Sequence, residues 1–376
     1  MTSPSPKTAL GHIRVLDLTR VLAGPWCAQN LADLGADVIK VERPGAGDHT
    51  RSWGPPYLKD ENGEDTSEAA YYLAANRGKR SITLDISTPE GQQIVRDLVR
   101  HCDVVLENYK VGQLKKYGLD YESLRAVRPD LVFCSVTGFG QDGPYAHRPG
   151  YDFIIQGMGG IMSLTGEPDG PPQKAGIAYA DIFTGVYSAV AILAALRRRD
   201  VTGEGAHIDM ALLDTQVGVL ANQALNWMAS GKVPHRMGNG HANLVPYQAF
   251  ETKDGALIVA VGNDSQFRRL CAVLGLDLGS DERFATNPAR VTNRKLLIPL
   301  LATTIAGWAK ADLYEALEAA GVPAGPINTI ADVFADPQVI ARGMQIVRDG
   351  LPGLASPIVI DGERMVSDKA SPKRGA

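Results

Sequence analysis

The sequence predicts an α/β fold, a large domain built on a parallel sheet with a smaller α+β domain beside it. Three observations lead there. Short β-branched runs alternate with helix-length segments through the first 140 residues, glycine and proline become dense between residues 138 and 180, and a separate set of strand and helix signals begins near residue 224. With 376 residues, 44% of them hydrophobic, the chain is long enough for roughly two domains with cores of their own.

In order along the chain, Ile13 to Leu18 is apolar and β-branched enough for a buried strand. Pro25 to Leu34 reads as a helix with proline in its first turn, and Asp37 to Val41 as a second strand. Ser81 to Asp85 predicts a strand, followed by a helix opening near Thr88-Pro89-Glu90. Then come a strand at Val104 to Glu107, a helical segment around Tyr121 to Val127 and a strand at Leu131 to Val136. Strands separated by helices of this length wind into a parallel sheet with right-handed crossovers. The segments GFGQDGPYAHRPGYD and GMGGIMSLTGEPDGPPQKAG predict loops whose backbone approaches something closely. A helix from Ile182 to Arg199 follows, then a turn, a strand and the start of another helix in TGEGAHIDMALLD. The smaller domain has a strand at Ala256 to Val261 and amphipathic helices at Gln266 to Leu274 and Asp312 to Ala320. The expected boundaries are 1–223 for the large domain, 224–325 for the small one, and 326–376 for a return to the first, with a disordered tail after Asp361.

Composition narrows the function classes. The net charge is −4, and the basic residues are dispersed apart from Arg197-Arg198-Arg199 at the end of a helix, so no nucleic acid partner is implied. The four cysteines lie far apart without a C-x-x-C pair, and the seven histidines show no H-x-x-H or H-x-x-x-H spacing. Neither a disulfide framework nor a metal site is expected. The N-terminus MTSPSPK has no apolar core, and the apolar run Val186 to Leu196 is shorter than the roughly 20 residues of a membrane span. A cytoplasmic protein with reduced thiols is expected.

Residues 13 to 42 imitate a dinucleotide-binding unit, but the turn after the first strand is DLTRVLAGP, with one glycine preceded by bulky residues. A pyrophosphate clamp needs G-x-G-x-x-G there, so a nicotinamide or flavin oxidoreductase is disfavoured. Asp181 stands at the junction of an extended stretch, Lys174 to Ala180, and the following helix. A carboxylate in a first helical turn faces unpaired N–H groups and the positive end of the macrodipole, which favours its ionised, nucleophilic form. The same position suits an ordinary helix cap, and position alone leaves both roles open.

The segments LDLTRVLAGP, ADVIKVERPGAGDHTR, NRGKRSITLD, DVVLENYKVG, SVTGFGQDGPY and AYADIFTG, in that order, resemble the class III CoA-transferase family. That group includes formyl-CoA transferase, carnitine CoA-transferase and α-methylacyl-CoA racemase, and the similarity runs from Leu16 to about Ile360. WGPP (53–56), HANLVPYQAF (241–250) and VFADPQV (333–339) are similar to the branch acting between succinate and glutarate or hydroxymethylglutarate. The resemblance implies a Rossmann-like large domain, a small domain and an interlocked homodimer. It implies coenzyme A thioesters as substrates, with no permanent cofactor, metal or membrane involved.

The family's catalytic aspartate falls on Asp181, a nucleophile that forms an acyl anhydride and then an aspartyl-CoA thioester. Such intermediates need a dry site, and Gly157 to Gly160 reads either as a wall folded over them or as a plain tight turn. The racemase histidine corresponds to Tyr151, a poor proton acceptor at neutral pH, which favours transfer over racemisation. Asp152 beside it suits either orientation of the nucleophile and thioester or a structural hydrogen bond. The family's CoA-contacting segments map to Val21, Ala23, Arg43 and Leu84, and further on to Asn108, Tyr109, Lys116, Arg148 and Tyr151 itself. A dicarboxylate acceptor needs a cation for its distal end, for which Arg77 and Arg51 are the candidates, with His241 and Asn243 completing the pocket. The chain departs from the family in two places. VGNDSQF (261–267) stands where a glycine-rich lid is usual, and a P-x-L-G-x-H-T stretch does not follow. The alternative activities are an α-methylacyl-CoA racemase and a non-catalytic CoA-binding homologue.

Overall fold

The computed structural model describes residues 8–375, which fall into two units. The first comprises residues up to Gly160, Ala175–Leu220 and Pro337 onward; the second comprises Ile161–Lys174 and Ala221–Asp336. The second unit therefore begins slightly before residue 224 and runs past 325. It also takes in the loop at 161–174, because Gly238 donates its N–H to Gly166 O and Arg236 donates to the carbonyls of Glu167 and Gly170.

In the first unit, strands β1 (Arg14–Asp17), β2 (Asp37–Glu42), β3 (Lys79–Thr83), β4 (Val104–Glu107), β5 (Val132–Thr137) and β6 (Ala206–Ala211) form one parallel sheet. Their spatial order is β3-β2-β1-β4-β5-β6, the order of doubly wound nucleotide-binding sheets. Alternate strand residues enter two cores. Val15, Val38, Val104 and Val132 pack with Leu31 and Ile192 on one face, while Leu16, Ile39, Val105 and Phe133 pack with Val95 and Val99 on the other. Helix α1 (Ala23–Asp33) and helix α4 (Tyr179–Thr202) cover the first face, and helix α2 (Pro89–Val99) supplies the second. Thr88 caps α2 by accepting the Gly91 N–H, with Pro89 in its first turn. A short helix α3 (Asp152–Met158) precedes α4, and α5 (Leu212–Gly218) follows β6.

Helix α4 has 24 residues and starts at Tyr179, three residues earlier than expected. With a mean hydropathy of 1.6 in its most apolar window, it is long and apolar enough to cross a membrane by length and composition. Its Ala180, Thr184, Ser188, Ile192 and Leu196 are nevertheless buried. Gly185 is where it meets α1, since a Cβ there would fall 2.7 Å from the Ala23 carbonyl oxygen.

The segment beyond Asp361, expected to be disordered, is instead tied to the first unit by hydrogen bonds. Ser367 N–H donates to Asp33, Gly78 N–H to Ala370 O, Arg51 to Pro372 O, and Gly375 N–H to Ser81 Oγ. Its few apolar residues conceal an anchoring made of backbone groups.

The second unit is a three-stranded antiparallel sheet, β7 (Tyr247–Thr252), β8 (Gly255–Ala260) and β9 (Ala324–Pro326), in the order β9-β8-β7. Phe250, Leu257 and Val259 join Phe267, Leu270, Leu297, Leu301 and Leu313 in its core.

Candidate active site

In a doubly wound sheet, ligands gather beyond the carboxyl ends of the strands where strand order reverses, here between β1 and β4. A cavity of about 340 Å³ lies there, lined by Arg20 to Ala23 after β1, Asn108 to Val111 after β4, Thr137 and Gly138 after β5, the 146–151 segment and Asp181. An adjoining cavity of about 270 Å³, lined by Arg43, Leu84, Asp48 and Tyr117, shares Arg20, His49, Tyr109 and Gln113 with the first.

The turn after β1 is held at almost every polar backbone group. Asp17 accepts the Thr19 N–H, Lys40 donates to Thr19 O, and Asn108 both accepts the Arg20 N–H and donates to Arg20 O. Val21 has a φ of 73°, a left-handed conformation that costs a β-branched residue dearly. Arg20 stacks its guanidinium over Tyr109 at 4.4 Å. The 138–150 loop is pinched at its neck, because a Cβ on Gly138 would lie 2.5 Å from Gly150 Cα. That closure brings His147 and Arg148 to the cavity wall.

Asp181 is the third residue of α4, after the N-cap Ala178. It does not cap the helix. Asp152 does, accepting the N–H groups of Ala180 at 2.8 Å and Asp181 at 3.3 Å on one oxygen and the Gln156 amide at 2.7 Å on the other. This settles Asp152 in a structural hydrogen bond that also fixes the backbone of Asp181. No hydrogen bond engages the Asp181 carboxyl among the described residues. Burial, reinforced by the Asp152 charge, pushes it up to about 7. The expectation of a helix-favoured ionised group is thus corrected: the environment raises its basicity. A carboxyl raised to about 7 is ionised in part at neutral pH. Burial also raises the Tyr71 phenol, with the charges of Asp181 and Asp152 adding to it. Tyr71 meets Trp53 of the WGPP segment edge to face at 5.3 Å.

Val21, Ala23, Asn108, Tyr109, Arg148 and Tyr151 line the cavity of Asp181, and Arg43, Leu84 and again Tyr109 line its neighbour. Lys116 lines neither and is exposed. Arg77 and Arg51 are corrected as carboxylate receptors. Arg77 is 5% exposed and bonds Asp33 through two nitrogens and Leu354 O through the third. Arg51 forms a two-point pair with Glu42, reaches Glu68 and Pro372 O, and stacks on Tyr72. Neither guanidinium has a free edge for substrate. His241 and Asn243 belong to the second unit. His241 Nδ1 accepts the N–H groups of Asn243 and Leu244, and the Asn243 side chain bonds Asn222 and Asn226. Gly157 to Gly160 do not line the cavity; Gly159 packs on Gln216, and Gly160 turns the chain with φ 90°. At VGNDSQF, Asn263 caps a helix that starts at Asp264.

Sequence reasoning passed over Arg20, Lys40 and Asp48. The signal was present: Asp17, Lys40 and Glu42 are charges inside otherwise apolar parallel strands, where unpaired charge is not tolerated.

A nucleotide-type sheet with an unpartnered basic carboxyl at its switch point defines an acyl-transfer class of site. Residues 10–376 match the model for CoA-transferase family III, and the chain belongs to that family. It is an enzyme of the CoA-transferase class. It is 56% identical to the succinate–glutarate CoA-transferase of Agrobacterium fabrum, over 99% of this chain and 94% of that one. It is 46% identical to the succinyl-CoA:glutarate CoA-transferase of Mus musculus, over 89% of this chain and 76% of that one. Among solved structures, a CAIB/BAIF family protein from Brucella suis is 58% identical, with a TM-score of 0.86 over 99% of this chain and 97% of that one.

Proposed function

We propose that this enzyme moves CoA from succinyl-CoA to glutarate or a closely related dicarboxylate, with Asp181 as the covalent nucleophile. The observation that carries the reading is Asp181 itself, a carboxyl without a partner and raised to about 7, on the wall of the switch-point cavity. The names of its relatives support the choice of acids.

In this reading a carboxylate oxygen of Asp181 attacks the succinyl-CoA carbonyl, the C–S bond breaks, and CoA leaves as its thiolate. The thiolate attacks the aspartyl carbonyl of the mixed anhydride, releasing succinate and leaving an aspartyl-CoA thioester. Glutarate opens that thioester to a second anhydride and regenerates the thiolate. Attack of the thiolate on the glutaryl carbonyl then yields glutaryl-CoA and free Asp181. The adjoining cavities take the CoA, with Arg43 and Leu84 in the second. With Arg51 and Arg77 engaged elsewhere, Arg20 and Arg148 are the arginines on the Asp181 cavity that meet phosphate or the distal carboxylate.

The enzyme works as a homodimer in this proposal. Tyr151, Phe153, Ile177 and Val190 are 61%, 58%, 62% and 57% exposed on the α3–α4 region, an apolar surface suited to a second copy. Succinyl-CoA offered a panel of free acids, with thioester products read by mass spectrometry, tests the activity. Transfer to dicarboxylates is expected; α-proton exchange in deuterated water without transfer would instead identify a racemase.

A further inference from the structure

Val21 is the β-branched residue among the four non-glycine residues found with positive φ in the described chain. Strain of this kind persists only where the surroundings over-determine it. The Asn108 side chain holds Arg20, one residue earlier, and Lys40 holds the Thr19 carbonyl, two residues earlier, but the hydrogen bond from Val21 itself goes elsewhere. Its N–H donates to Asp48 Oδ1 at 3.3 Å. The same oxygen accepts the Thr50 N–H at 3.0 Å and the Thr50 hydroxyl at 2.8 Å. The other oxygen pairs with Lys40 Nζ at 2.9 Å. Asp48 is 1% exposed, and its own N–H is held by Glu42 Oε2 at 2.9 Å. The acceptor that faces Val21 therefore has no freedom to follow the turn if the turn relaxes. Asp48 lies on the wall of the second cavity, while Val21 lines the cavity of Asp181.

Resting on the proposed role of Asp181, we infer that Asp48 is a positioning residue for acyl transfer: its carboxylate holds Val21 in the left-handed conformation that shapes the wall of the Asp181 cavity. It touches no acyl group and acts through the backbone of Val21. Without it, valine relaxes toward negative φ, and the acyl carbon is no longer presented to the nucleophile at the required distance.

A four-member cycle of wild type, D48N, V21G and D48N/V21G tests this. Transfer kinetics are normalised to the folded fraction from tryptophan fluorescence, and D181A is assayed alongside. In D48N the one remaining oxygen is drawn to the Lys40 ammonium, which turns an NH2 group toward the Val21 and Thr50 N–H groups. The variant is expected to lose on the order of 10²-fold in kcat, the cost of a small misplacement at a reacting centre, with a much smaller change in the KM for succinyl-CoA. Glycine adopts positive φ without a side-chain penalty. D48N/V21G is therefore expected to regain about tenfold in kcat over D48N, while its Tm stays low because buried Lys40 has lost its ion pair with Asp48. A role in stability alone predicts the same lowered Tm but no loss of kcat per folded molecule and no rescue by glycine. D48N with wild-type kcat, or D48N/V21G as slow as D48N, overturns the inference. D48E, which keeps the charge and shifts the acceptor by one methylene, gives the same reading if D48N does not fold. An inactive D181A beside an unimpaired D48N refutes the role of Asp48 alone, whereas an active D181A refutes the nucleophile on which it rests.

Discussion

Two groups of acids stand at the carboxyl end of the same sheet and meet opposite fates. Asp17, Glu42 and Asp48 are buried, yet each faces a cation: Lys79, Arg51 and Lys40, at 2.9, 2.8 and 2.9 Å. Burial works against the Asp48 charge, but Lys40 and Thr50 hold it at about 2. Asp181 has no cation and an acid for a neighbour, and it is raised to about 7. Burial by itself does not decide whether a carboxyl is ionised; its partner does. The paired acids hold the turn after β1, and the unpaired one stays on the cavity wall with its basicity raised.

The sharpest way to break this contrast is Asp181→Ala, for which transfer is expected to fall by on the order of 10³-fold or more with folding intact, measured as succinyl-CoA turnover. Next in size is Arg77→Ala, which leaves Asp33 buried without its partner. A loss of roughly 3–5 kcal/mol in chemical denaturation is expected, with an unchanged preference for dicarboxylates in the enzyme that remains folded.

These two variants also mark what the sequence could and could not convey. The strands of the parallel sheet and the place of Asp181 at the start of a helix were legible because hydrophobic period and local motif specify them. The fate of Arg77 was not, since its partner Asp33 lies 44 residues away and only folding brings them together. Arg51 failed for the same reason, its neighbours Glu42 and Tyr72 arriving from different elements. Position alone left Asp181 open to a capping role, but the capping oxygen comes from Asp152, 28 residues before Ala180.

A smaller effect sharpens the contrast from the other side. Asp152→Asn keeps an acceptor for the Ala180 and Asp181 N–H groups and removes the like charge. The proposed mechanism needs ionised Asp181, so kcat in the wild type is expected to rise with pH through about 7. In Asp152→Asn the limb is expected to move to lower pH by up to about one unit, read from the pH–rate profile. The stability sign runs the other way: a carboxyl raised in the folded state destabilises it progressively from about its unfolded value up to about 7, and Asp181→Ala removes that dependence. Smallest is Lys116→Ala, an exposed lysine outside both cavities, expected to change the KM for succinyl-CoA by less than about twofold, as exposed charges contribute about 0–1 kcal/mol.

The hydrogen bonds of residues 367–375 to Asp33, Gly78 and Ser81 join positions 292 to 334 residues apart. During synthesis the amino-terminal strands emerge long before the segment that completes their edge, with the whole second unit made in between. The β3 margin of the larger unit is therefore completed by chain made after the second unit, so its closure depends on contacts of very long sequence separation, which form late in folding.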